Sequence, residues 1–389
     1  MASLLANHKL LRLRDYPMVQ DIPRTAELKS EKVQLTFCQP AQTSRNTLIH
    51  RDIWILSLGT WKSECAPLPG LSPDWISEKD WEKALSIAIQ EFNTKISNQL
   101  PNSVQKDWEP WLDQWRINYP SIAFGLENML QKIYAFHNPE DQNPFPTEPK
   151  KNNSSEDRPW LRINGLIWMN DLTTMRKEAM HKVAQGFDCL KFKIGILDWQ
   201  AELDMIAEIR SDYHPANLEI RVDANGALHP DRAVNQMMEL QSLGIHSIEQ
   251  PLHPRFDHLI TAFSKAASLP IALDESILLR KPDDASHAWL AESGVKFLVL
   301  KPGLLGGFKV AEAWIQIAEE LGIGWWITSA LESNIGLGTI ASWTYHQVLR
   351  WGNPLAQGLG TGRLYVDNFP ATTLIREGRL YPVKDWSIS

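Results

Sequence analysis

No run of 18 apolar residues occurs in the 389 residues of this chain, so a membrane-spanning helix is not expected. Cysteine is scarce: Cys38, Cys65 and Cys189 lie far apart and form no Cys-x-x-Cys pair. That argues against a disulfide scaffold or a thiolate metal site and suits three free thiols in a reducing compartment, the cytoplasm. Positive charge is not concentrated either. Lys and Arg number 39 against 46 Asp and Glu, a formal net charge of −7, with no basic cluster to hold a nucleic-acid backbone. The opening stretch MASLLANHKLLRLRD has only a short apolar segment and no cleavage-site pattern, so a secretory signal is not expected. The 17 tryptophans are many for this length and suggest no chemistry by themselves.

From Ile163 onward, short β-rich runs alternate with helical periodicity. Strands are expected at 163–169, 189–194, 218–223, 246–250, 270–274, 296–301, 324–329 and 354–358. Segments 199–213, 231–243 and 308–321 carry apolar residues at helical spacing, and Gly186, Gly244 and Gly322 stand where helix C-caps belong. Eight strands with crossover helices in about 200 residues predict a (β/α)8-type barrel, hence an α/β fold. An open doubly wound sheet would carry a glycine fingerprint in its first βα turn, where Asn170-Asp171-Leu172 stands instead. Residues 1–135 read differently. Strand-like runs at 32–37 and 52–58 precede helical stretches near 78–98 and 120–136, an α+β pattern that predicts a separate domain. Between the two, 136–160 reads as a polar, solvated linker, and the barrel is expected over 161–364.

Five charged residues close successive apolar runs: Lys193, Asp223, Glu249, Asp274 and Lys301, spaced 30, 26, 25 and 27 residues apart. A βα unit is about that long, so the five should meet at the C-terminal mouth of the barrel, where barrel enzymes carry their active sites. Three carboxylates from the third, fourth and fifth strands do not share a small volume ionised without a cation. Oxygen donors with no His or Cys among them suit Mg²⁺, with Mn²⁺ as a substitute, better than zinc. The plainer alternative is that each acid caps a helix N-terminus locally. That account suits one acid better than three in register.

In Lys191-Phe192-Lys193 the two lysines share one strand face and Phe192 takes the other. With Phe192 against the outer helices, both ammonium groups turn inward, where like charge and a metal would lower the pKa of Lys193 towards that of a base. Mere neutralisation of Glu219 and Asp223 is the alternative, and it leaves Lys301 unexplained. Two amines flanking a divalent cation suit proton abstraction from a carbon next to a carboxylate, with the enediolate stabilised as its charge develops. The implied partner is a small-molecule carboxylate.

These motifs, K-x-K, D-A-N, E-Q-P, L-D-E-S and K-P-G in order and spacing, resemble those of the enolase superfamily, its muconate-lactonizing subgroup and, within that, the o-succinylbenzoate synthases. The likeness runs from about Leu28 to Leu364. Segment 37–45, with Thr43, Ser44 and Arg45, is similar to the family's substrate loop, and 64–70 to its second capping segment. The resemblance implies an enolase-like modified barrel under an N-terminal α+β capping domain completed by about 365–389. It implies Lys193 as the base that then assists departure of a hydroxyl, Lys301 as stabiliser of the enediolate, and Asp223, Glu249 and Asp274 as Mg²⁺ ligands. Lys191, Asn225, Ser329 and Leu331, the last two in the stretch SALESNIG, are the implied substrate contacts, together with Thr43, Ser44 and Arg45. The reaction implied is dehydration of a succinyl-hydroxycyclohexadiene carboxylate to o-succinylbenzoate in menaquinone synthesis. N-succinylamino acid racemases and dipeptide epimerases of the same superfamily share the five groups, and a non-catalytic barrel scaffold is the alternative from another class. Epimerases carry an Asp-x-Asp after the last strand, whereas Gln357-Gly358-Leu359-Gly360-Thr361-Gly362 holds no acid. Ser63 stands where the family usually has Gly, and 137–159 has no counterpart.

Overall fold

The structure, a computed structural model, describes residues 26–42, 47–98, 108–137 and 159–383. Three antiparallel strands come first: β1 (Lys29–Gln42), β2 (Thr47–Leu58) and β3 (Trp61–Cys65), adjacent in that order. Against them pack α1 (Glu78–Asn98), α2 (Glu109–Asn118) and α3 (Pro120–His137). Ser77 caps α1 by accepting the amide of Asp80 at 3.2 Å, a start signal readable from the sequence. The expected runs 32–37 and 52–58 lie within β1 and β2, while β3 and α2 were not anticipated. The strand β3 is five residues long and carries Lys62 and Glu64, so its alternation is faint.

Much of the tryptophan content is explained here. Trp54, Trp81, Trp108 and Trp111 are buried in one cluster with Phe92, and the Trp54 and Trp81 rings lie 4.5 Å apart. Three of the indole N–H groups donate to acceptors, Trp54 to Glu82, Trp81 to Ser121 and Trp111 to Glu91, so these large apolar bodies are buried with their donors satisfied. Each such side chain contributes roughly 1.5–3 kcal/mol on burial.

Past residue 159 the chain forms β4 (Leu161–Arg162), then alternates strand and helix: β5 (Gly165–Ile167), α4 (Leu172–Ala184), β6 (Cys189–Lys193), α5 (Trp199–Asp212), β7 (Glu219–Asp223), α6 (Pro230–Ser242) and β8 (Ser247–Glu249). There follow α7 (Ile260–Ala266), β9 (Ile271–Leu273), α8 (Glu275–Leu278), α9 (Asp284–Ser293), β10 (Phe297–Leu300), α10 (Pro302–Leu305), α11 (Phe308–Leu321), β11 (Gly324–Ile327) and α12 (Asn334–Trp351). Strands β5 to β11 form one parallel sheet in sequence order. Asp171, Asp198 and Asp283 cap α4, α5 and α9 by accepting backbone amides. Gly322 ends α11 in the left-handed region at φ 64°, which a residue with Cβ rarely adopts.

The eighth expected strand, 354–358, narrows to two residues. Gln357 N donates to Arg162 O at 2.8 Å and Asn164 N to Gln357 O at 3.0 Å; Gly358 N donates to Ile327 O at 2.7 Å and Ser329 N to Gly358 O at 3.1 Å. Those bonds reach both sheet edges and close the barrel. A longer ladder is pre-empted because the Gln357 side chain itself accepts the amide of Ile327, at 2.7 Å.

Of the C-terminal stretch, residues 364–367 lie along β1: Cys38 N donates to Leu364 O at 2.8 Å and Val366 N to Thr36 O at 3.0 Å. The hairpin β12 (Thr373–Arg376) and β13 (Arg379–Pro382) instead pairs with β4, in the order β12-β13-β4. Its two-residue turn, Glu377 and Gly378, is left-handed at both positions, φ 49° and 68°, and packs on Gly186 at the N-terminal end of the barrel strands.

Candidate active site

Lys193, Asp223 and Glu249 are Cα partners across β6, β7 and β8, so they form one layer at the strand ends. Asp274 and Lys301 stand one residue beyond β9 and β10, each at the start of a short helix. The parallel register brings all five together, and Lys191 lies one layer below, with Phe192 fully buried on the opposite face. Asp223, Glu249 and Asp274 are buried to within 2% exposure, among apolar residues that deny them water.

The lysines answer that burial. Lys191 Nζ lies 2.8 Å from Asp223 Oδ2 and 2.5 Å from Glu249 Oε1; Lys193 Nζ lies 2.7 Å from the same Asp223 oxygen; Lys301 pairs with Asp274. Burial works to raise the Asp223 carboxyl, but Lys191 and Lys193 outweigh it and hold the group well below the usual carboxylate range. Glu249 goes the other way: burial, reinforced by the charge of Asp223, pushes it up to about 8. Burial alone would lower Lys191 and Lys301, yet their carboxylate neighbours raise both ammonium groups above the ordinary lysine value.

Among the described residues no three His, Cys, Asp or Glu side chains are drawn together as a ready metal cluster, because the ammonium groups take up the carboxylate oxygens. The donor chemistry nevertheless fits a hard divalent cation. Two buried oxygens of the candidate ligands, Glu249 Oε2 and Asp274 Oδ1, have no hydrogen-bond partner among the described residues, and nitrogen and sulfur donors are missing from the set. Orphaned buried carboxyl oxygens are unfavourable unless a proton or a cation meets them.

The site opens into a cavity whose floor includes Lys191, Lys193, Asp223, Asn225, Glu249 and Lys301. Its apolar walls come from Leu48 of β2, from Leu68 and Leu71 after β3, and from Trp168 and Leu331 of the barrel. Ser329 also lines it, its hydroxyl 2.7 Å from that of Thr361. Asn225 is left-handed at φ 43° and accepts from Lys193 Nζ at 2.7 Å. Thr43, Ser44 and Arg45 lie outside the described residues. Asp274 does not face the cavity: its carboxylate turns to Lys301, and Glu275 faces the cavity in its place.

Two further residues escaped sequence reasoning. Gln250 is completely buried; its Oε1 accepts the amides of Asp274 and Ser276, both at 3.1 Å, while Nε2 donates to Leu252 O and Ser276 Oγ. This side chain clips the β9 exit and so aims Asp274 and Glu275. Glu275 accepts from Asn225 Nδ2 at 3.1 Å. The E-Q-P and L-D-E-S motifs contained both residues, but only the tertiary pairing distinguishes their roles from ordinary loop polarity.

The sequence of residues 174–382 matches the family model described as Enolase C-terminal domain-like. The o-succinylbenzoate synthase of Desulfotalea psychrophila (strain LSv54) is 34% identical over 376 residues, 91% of this chain and 98% of that protein. The chain belongs to the o-succinylbenzoate synthase family of the enolase superfamily. The crystal structure of MenC from Desulfotalea psychrophila LSv54 superposes with a TM-score of 0.72 at 30% identity, covering 92% of this chain and 99% of that one. A dipeptide epimerase from Enterococcus faecalis V583, complexed with Mg and the dipeptide L-Leu-L-Tyr, shares the fold at TM-score 0.74 and 18% identity, covering 93% of this chain and 98% of its own. For this family member, the charged layer at the barrel mouth is the expected place for chemistry.

Proposed function

We propose that this chain is an o-succinylbenzoate synthase, a lyase that dehydrates 2-succinyl-6-hydroxy-2,4-cyclohexadiene-1-carboxylate to 2-succinylbenzoate in menaquinone synthesis in the cytoplasm. The observation that carries the reading is that Lys193 and Lys301 face one apolar-walled cavity, each bound to a different buried carboxylate. The chain's similarity to the Desulfotalea synthase over nearly its whole length supports the substrate.

In this reading Lys193 takes the proton from the ring carbon that bears the carboxylate. The electron pair left behind moves into that carboxylate as an enediolate, and the ammonium of Lys301 lies where the new charge develops. Collapse of the enediolate expels the ring hydroxyl, which leaves as water with the proton held by Lys193, and the ring becomes aromatic. Asp223, Glu249 and Asp274 are the residues that would hold Mg²⁺, which would supply Lewis-acid stabilisation of the carboxylate charge. Lys191 compensates Asp223 and Glu249 from below. Asn225, Ser329 and Leu331 line the substrate cavity, and Leu48, Leu68, Pro69 and Leu71 roof it.

The test is direct: purified protein, Mg²⁺ and the cyclohexadiene substrate, followed by loss of its ultraviolet absorbance. Turnover dependent on the divalent ion is expected. No turnover, with racemisation of an N-succinylamino acid or epimerisation of a dipeptide instead, would replace this reading with the other branches of the superfamily.

A further inference from the structure

Resting on Lys193 as the base, a fourth carboxylate, outside the metal set, has a definable task. Glu275 is 6% exposed, faces the cavity, and is the acceptor for Asn225 Nδ2 at 3.1 Å; the other end of the same amide, Oδ1, accepts from Lys193 Nζ at 2.7 Å. A lysine ammonium only donates, and a carboxylate offers oxygens, so a single orientation of the amide satisfies both neighbours. Turned over, it would set its NH₂ against an ammonium and its oxygen against a carboxylate. Glu275 therefore decides which way Asn225 points.

The backbone leaves Asn225 little freedom to respond otherwise. Its φ of 43° lies in the left-handed region, its own amide donates to Asp223 Oδ1 at 3.0 Å, and Gly226 N donates to Gln250 O at 2.7 Å. A strained turn held by these two bonds presents the amide from a rigid mount.

The consequence falls on Lys193. Its nitrogen has four tetrahedral positions, one taken by the carbon stem. Asp223 Oδ2 at 2.7 Å and Asn225 Oδ1 at 2.7 Å take two more. When the amine is neutral it has two N–H bonds to donate, one to each of these oxygens, and its lone pair is confined to the remaining position. A flexible four-carbon side chain is thereby converted into a base whose lone pair has one direction, which is what proton transfer from carbon requires.

We infer that Glu275 is a positioning residue for the reaction: by orienting the Asn225 amide it aims the lone pair of Lys193 at the substrate carbon. It touches no reacting atom, and its substitution should act on the chemical step rather than on binding.

The experiment compares E275A and E275Q with the unaltered enzyme, using the cyclohexadiene substrate with hydrogen or deuterium at the carbon that loses its proton. A glutamine carbonyl can still accept from Asn225, whereas alanine cannot. E275A should lower kcat about 10- to 100-fold, a typical share of a general-base contribution, with KM changed less than threefold and an enlarged primary isotope effect. E275Q should recover most of the lost kcat. The Mg²⁺ concentration for half-maximal rate should stay within threefold in both variants, and circular dichroism should match the parent. Equal losses in the two variants with a raised Mg²⁺ requirement would overturn the inference in favour of a metal-binding carboxylate. A kcat within twofold of the parent for E275A would overturn it outright. Absence of turnover in the unaltered enzyme would instead count against the synthase reading and is scored before either variant is made.

Discussion

Glu64, on β3, accepts the backbone amide of Ser333 at 2.9 Å and that of Gly336 at 2.9 Å, placing a carboxylate from the first sheet on the N-terminus of α12. Glu64 is 1% exposed, and a negative charge there meets both free N–H groups and the positive end of the helix. Replacement by alanine would leave buried donors unpaired. We expect E64A to lower the unfolding free energy by about 2–4 kcal/mol in urea titrations. A loss below about 1 kcal/mol would mean that water replaces the carboxylate without difficulty.

Lys193→Ala should abolish turnover, by about 10³-fold or more, while the circular dichroism spectrum and the urea midpoint change little. Lys193 donates to Asp223 and Asn225, but Lys191 continues to compensate Asp223 when it is gone. Retained activity would remove Lys193 as the base.

Lys191 is the cation shared by two of the buried acids, since it bridges Asp223 and Glu249. K191M should therefore destabilise the protein by about 3–5 kcal/mol in chelator, the range for breaking a buried ion pair from one side. Added Mg²⁺ should raise the melting temperature of K191M more than that of the parent, because a cation that binds only the native state adds its binding energy to stability. Glu249→Gln should raise the Mg²⁺ concentration needed for that response. An identical Mg²⁺ response in the parent, K191M and E249Q would undo the assignment of these acids as the metal set.

Glu332 titrates in an accessible window. Burial, then the neighbouring charge of Glu64, pushes its carboxyl from the ordinary 4.5 up to about 7, and its Oε1 has no partner among the described residues. Between those values the native protein holds a proton that the unfolded chain has released. Stability therefore falls as pH rises from about 4.5 to about 7 and levels off above it, by roughly 3 kcal/mol in all. E332Q carries no ionisable group there, so its urea midpoint should change less across pH 5–8 and exceed that of the parent at pH 8. Parallel curves for the two proteins would show that Glu332 ionises without penalty.

How much of this was legible in advance differs by level. The periodicity marked helices at 199–213, 231–243 and 308–321, and these differ from α5, α6 and α11 by at most one residue at each end. Such helices are long, amphipathic and capped by local signals, so the pattern suffices. Strand β3 and helix α2 were missed because their polar and aromatic residues are ordered by contacts distant in sequence, as in the burial of Glu64 against Ser333. The eighth strand was overextended because its apolar run gives no sign that a glutamine side chain takes over part of the ladder.

The spacing of Lys193, Asp223, Glu249, Asp274 and Lys301 was determined by the sequence alone, because one βα unit per charge and the alternation of strand faces leave little choice of where those side chains go. What each charge faces was decided only in three dimensions. Parallel register placed Lys191 beneath two acids, Gln250 turned Asp274 towards Lys301 and Glu275 towards the cavity, and Leu48 of β2 with Leu68 and Leu71 of the loop after β3 supplied walls from outside the barrel. The physical reason is range: periodicity is a property of neighbours along the chain, whereas hydrogen-bond partners and dielectric surroundings are set by residues brought together from far apart in it.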